Sequence, residues 1–92
     1  MEIGDLVISK CGRDKGGVFL ITAINGDYAF LVDGVLRKLA KPKKKKIKHI
    51  KPLNTKAEGI AGKIKDNKQI FDSEIKAFIR RSASIEKEGD LK

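Results

Sequence analysis

Apolar and polar positions follow two different periods along this 92-residue chain, and the change comes just past Leu53. Before it, short apolar runs rich in β-branched residues are separated by glycine-containing turns, which is the pattern of strands. Asp5–Ser9 is a short segment of this kind, with Val7 and Ile8 at its centre. Lys10-Cys-Gly-Arg-Asp-Lys-Gly-Gly17 follows as a loop marked by three glycines. Gly17–Ile24 predicts the strongest strand. Asn25-Gly26 then predicts a tight hairpin turn, because both residues tolerate positive φ. Tyr28–Val32 is the return strand, Asp33-Gly34 a second turn of the same chemistry, and Val35–Leu39 a further strand running into a basic tract. Pro42 and Pro52 bracket that tract and argue against one continuous helix through it. A meander of short strands implies closure into a small barrel, since closure removes exposed edges.

Past Leu53, Ala57, Ile60, Ala61 and Ile64 recur at i, i+3, i+4, i+7, as on one face of a helix. Gly59 and Gly62 lie within it and cost about 1 kcal/mol each relative to alanine. Ile75, Phe78, Ile79 and Ser82 predict a second helix, with Asp72 as its N-cap, Glu74 in its first turn and Arg80 and Arg81 towards its end. From Ser84 onward there is little to bury, and fraying is expected. The predicted fold is mainly β: a small barrel over residues 1–53, then a short helical extension over 54–92 with a frayed tail.

Charge changes this picture most. The chain carries a net +9, and between Arg37 and Lys56 there are ten Lys or Arg and no Asp or Glu. Residues 1–36 hold three basic and five acidic residues, and residues 57–92 hold eight and seven, so the excess lies in one fifth of the chain. Seven of the eleven residues from Lys41 to Lys51 are lysine. Gathering that many ammonium groups is unfavourable unless something anionic neutralises them, and phosphate suits the role.

Other classes are argued against. No apolar stretch approaches the roughly 20 residues of a membrane helix. The N-terminus lacks the basic start and apolar centre of a secretory signal. Cys11 is the single cysteine, so no internal disulfide can form, and a reducing cytoplasm is the expected setting. Cys11 and His49 fall short of the four ligands of a structural zinc site. No nucleophile–base arrangement, Walker loop or dinucleotide-binding glycine pattern is present. Neither an enzyme, a cofactor, a metal nor a small-molecule substrate is expected.

The segment Ile3-Gly-Asp-Leu-Val-Ile-Ser-Lys-Cys-Gly-Arg-Asp-Lys-Gly-Gly-Val-Phe19 resembles a KOW motif, a strand, glycine loop and strand found in ribosomal proteins and transcription elongation factors. Gly12-Arg-Asp-Lys-Gly16, Asp33-Gly-Val-Leu-Arg-Lys38, Lys41-Pro-Lys-Lys44 and Lys48-His-Ile-Lys-Pro52 then occur in an order similar to that of one group of KOW-domain RNA-binding proteins. That group is related to the archaeal and eukaryotic large-subunit ribosomal protein fourteen-e, and the chain looks like one of its small bacterial relatives. The resemblance covers roughly residues 3–53. It implies an SH3-like barrel and RNA contacts from Arg13 and Lys15 in the glycine loop, and from Arg37, Lys38, Lys43, Lys44 and Lys48, with His49 nearby. The tract itself adds Lys41, Lys45 and Lys46. The expected partner is RNA, ribosomal RNA first, with ribosomal proteins as neighbours and no membrane. The glycines would let the loop turn sharply with its backbone close to RNA.

Competing readings are a solvated flexible lysine loop, loose adsorption to an anionic membrane, or an import signal. A protein–protein adaptor of the elongation-factor type is the main functional alternative. Phe19 and Phe30 are expected in the core, whereas Tyr28, beside the Asn-Gly turn, is divided evenly between core and a base-stacking platform.

Overall fold

The computed structural model describes the backbone of residues 1–90 and the side chains of residues 1–82. Five strands, β1 (Asp5–Ser9), β2 (Val18–Asn25), β3 (Tyr28–Val32), β4 (Lys43–Lys46) and β5 (Ile50–Lys56), form one antiparallel sheet in the order β4-β3-β2-β1-β5. A 3-10 turn at Ile47–His49 joins β4 to β5, and two helices follow, α1 (Glu58–Lys65) and α2 (Asp72–Asp90). β4 and β5 are the edges, and no strand pairing joins them, so the sheet is open.

Alternation sorts the strands into two faces, and both are packed. On one, Val7, Phe19, Ile21, Ala29, Leu31 and Ile50 form a single buried cluster with Ile47 against it. On the other, Leu6, Leu20 and Val32 meet Ala57, Ile60 and Ile75 of the helical segment, with Leu39, Leu53, Ile64, Ile70, Phe78 and Ile79 around them. β2 is buried on both sides along Phe19-Leu20-Ile21, which explains its continuous apolar run there. Sheet and helices thus share a core on that face.

Two glycines permit that docking. Gly4 has φ +93°, and a Cβ there would lie 2.6 Å from the Ala61 Cβ of α1. Gly34 has φ +80°, and its Cβ would overlap the Asp72 carbonyl oxygen and meet the Lys76 amide nitrogen of α2 at 3.0 Å. The helices approach the sheet where there is no side chain to hold them off.

The structure corrects the strand predicted over Val35–Leu39. Asp33 Oδ1 accepts hydrogen bonds from the Val35 and Arg37 amides, both at 2.8 Å, and the Arg37 carbonyl accepts from the Asp33 and Gly34 amides. These four bonds close a compact loop, leaving Val35 50% and Leu36 82% exposed. Asp72 is also not the N-cap. It is the first residue of α2, and its Oδ1 accepts from the Leu39 amide at 2.8 Å, tying the loop to the helix. The Glu74 carboxylate reaches back to the Phe71 amide at 2.9 Å, the return half of a capping box. α1 ends in a Schellman motif: Asn67 has φ 56°, Lys68 N donates to the Lys63 carbonyl, and Asn67 N to that of Ile64. The backbone of α2 continues to Asp90, past Ser84 where fraying is expected, while the side chains of that stretch lie outside the described residues.

Candidate nucleic-acid interface

The basic tract is ordered backbone, made of β4, the 3-10 turn and β5. Because a strand's side chains alternate, four consecutive lysines divide between two faces. Lys44 and Lys46 are exposed, Lys45 is buried at 8% exposure, and Lys43 is half-buried. Register places Tyr28 opposite Lys46 and Phe30 opposite Lys44, so these four residues share the outer face. Lys44 Nζ lies 4.5 Å from the Tyr28 ring centroid, a cation–π contact worth about 0.5–1 kcal/mol at an exposed site.

Lys45 points the other way, and this corrects its expected place against RNA. Its Nζ donates to Ser9 Oγ at 2.7 Å and to the Cys11 carbonyl at 2.5 Å. Ser9, itself 2% exposed, also donates its hydroxyl to the Cys11 carbonyl at 3.0 Å. A flat sheet would set β4 and β1 three strand spacings apart, about 14 Å, a span that Lys45 bridges because the sheet curls. Lys45 therefore pins the start of the glycine loop to β4.

Arg37 is likewise engaged. Its Nη2 contacts Asp14 Oδ2 at 3.1 Å and Oδ1 at 3.3 Å, and its Nε is buried without an acceptor among the described residues. The pair joins the 33–39 loop to the glycine loop. Within that loop the Lys15, Gly16 and Gly17 amides donate to the carbonyls of Gly12, Ser9 and Asp14. Their backbone donors are therefore used internally, and the loop offers the exposed side chains of Arg13 and Lys15 instead.

Lys38, Lys41, Lys46, Lys48 and Lys51 are exposed, and none has an ion pair among the described residues. His49 is half-buried in the 3-10 turn, and its carbonyl accepts from the Lys10 amide at 2.9 Å. Ile47 N donates to the Asp27 carbonyl at 2.8 Å, bringing the β2–β3 hairpin beside the turn. Asp27, Tyr28, Lys46, Ile47 and Lys48 thereby line an open groove of about 570 Å³.

Phe19 fills the core as expected, at 3% exposure. Phe30 does not: it is half-buried and belongs to neither apolar cluster. The available signal was the spacing of Tyr28, Phe30 and Val32, which puts all three on one face of β3. The helices roof Val32 and leave Tyr28 uncovered.

Two further ion pairs involve none of these tract residues around the groove. Lys56 and Glu2 are 2.9 Å apart, and that hydrogen bond lowers the Glu2 pKa and raises that of Lys56. Lys63 and Glu74 join α1 to α2 at 2.6 Å, and the lysine together with the Phe71 amide lowers the Glu74 pKa. Among the described residues no group of three or more His, Cys, Asp or Glu is placed to hold a metal, and no helix is long and apolar enough to cross a membrane. No protein-family model matches the chain, and no curated protein matches it significantly.

Proposed function

We propose that the protein binds RNA, with ribosomal RNA the first candidate, through the outer face of β3 and β4, the 3-10 turn and the side chains of the glycine loop. One observation carries the reading: Lys44, Lys46 and Lys48 are exposed around the Tyr28 groove, where three ammonium groups outnumber the single Asp27 carboxylate and none forms an ion pair among the described residues. Ordering these ammonium groups on one strand and turn maintains repulsion that a phosphate chain relieves. The strand order, with a 3-10 turn linking the two edge strands across a curled sheet, supports an SH3-like barrel. The loop at residues 10–17 supports the KOW reading. The protein acts in this view as a cytoplasmic, ribosome-associated binding module without chemistry of its own. Phosphate contacts position it, and RNA shape supplies specificity.

Filter retention of ribosomal RNA fragments across a salt series tests this. With about six phosphates engaged, log K against log salt falls with a slope of about −4 to −5. No retention even in dilute buffer would remove the proposal. A second reading, a protein adaptor, draws on exposed apolar residues: Val35 and Leu36 on the loop that Asp72 ties to α2, and Phe71, 53% exposed, just before that helix. Partner binding that survives high salt and ignores RNA would favour it.

A further inference from the structure

We infer that the groove beside Tyr28 takes an unpaired nucleotide, its base stacked on the Tyr28 ring and its flanking phosphates against Lys44, Lys46 and Lys48. This rests on the RNA reading and narrows it to RNA with a single-stranded element. Tyr28 opens β3, is half-buried and belongs to neither core cluster, so its ring is not needed to fill the interior. That ring already holds a cation from the solvent side, the Lys44 ammonium at 4.5 Å. An exposed cation–π contact shifts an equilibrium by about two- to fivefold. Stacking a base on an aromatic ring shifts it by about five- to 150-fold. The base therefore displaces the ammonium, and Lys44, on its flexible stem, is left beside the nucleotide's phosphate. The groove volume of about 570 Å³ falls within the range of small-ligand sites and suits one nucleoside. A base inside a duplex keeps both faces against its neighbours and cannot lie on the ring.

The chain has one tyrosine and no tryptophan, so tyrosine emission reports on Tyr28 alone. The full chain is titrated with an unstructured RNA strand of about ten nucleotides, and separately with that strand paired to its complement. The single strand should quench the emission saturably, and the duplex should bind without quenching. Tyr28→Leu should weaken single-strand binding about five- to 150-fold and duplex binding by far less, while Tyr28→Phe keeps single-strand binding. If the strand binds with emission unaltered and Tyr28→Leu binds as tightly as wild type, the stacking inference is overturned and the RNA reading stands. If neither RNA binds in dilute buffer, both are overturned.

Discussion

Within β4, Lys44 and Lys46 stand in solvent on the face that carries Tyr28, whereas Lys45 between them is buried and donates its ammonium protons to Ser9 and Cys11. The three side chains are chemically identical, and strand alternation alone separates their roles. Burying an ammonium without a carboxylate is costly, and hydrogen bonds from a charged donor, each worth about 1.5–3 kcal/mol, are what offset it. The outward lysines face no such cost and keep their ammonium groups in solvent. Counting charges along the chain therefore overstates the number of lysines left free in solvent. Part of the tract, Lys45 together with Arg37, holds the loops in place.

The largest expected effect is on stability. Lys45→Glu would set a carboxylate against the Cys11 carbonyl oxygen and bury an unpaired charge. It should cost about 3 kcal/mol or more, lowering Tm by more than about 10 °C in a thermal melt. The matching change on the other face, Lys44→Glu with Lys46→Glu and Lys48→Glu, should lower Tm by only a few degrees, through loss of the Lys44–Tyr28 contact. It should make the salt slope of RNA binding shallower by about 2 to 3, since each lost phosphate contact removes roughly one unit.

A smaller effect separates the Lys45 clamp, which contains no carboxylate, from the junction of α1 and α2, which does. The Lys63 ammonium and the Phe71 amide hold the Glu74 carboxyl below its ordinary 4.5. Its contribution is thus fully present above pH 4.5 and is lost as pH falls through the lowered value. The Tm difference between wild type and Glu74→Gln should shrink as pH drops from about 6 to about 3. A difference that stays constant over that range would show that the Glu74 charge contributes nothing.

Three of the five strands, β1 to β3, were legible in the sequence because local chemistry decides them, whereas β4 and β5, made largely from the lysine tract, were not. The β2–β3 hairpin forms where it was expected, but its turn is Gly26-Asp27: Asn25 closes β2 opposite Tyr28, and Gly26 supplies the positive φ of 60°, while the β-branched residues around Val7 and Ile21 suit the strands they form. The helix over Ala57–Ile64 followed from its apolar spacing. What was not legible depended on contacts distant in sequence. Val35–Leu39 has strand composition, but Asp33 closes it into a loop and Asp72, more than thirty residues on, fixes its end. At the candidate site, the positive tract could be read directly, whereas the division of its members could not. Knowing that Lys45 faces inward requires knowing that β4 pairs with β3 in the register Ala29 to Lys45. The pairing of Arg37 with Asp14, twenty-three residues apart, is non-local in the same way.

The most direct measurement compares Lys45→Met with Lys46→Met, which remove the same single charge from adjacent positions. RNA affinity is followed across a salt series, with each variant's melt confirming that it is folded. Lys46→Met should make the slope shallower by about one, and Lys45→Met should leave it at the wild-type value. Equal shifts in the two variants would mean that bulk charge, and not the face a lysine occupies, governs binding, contradicting the account.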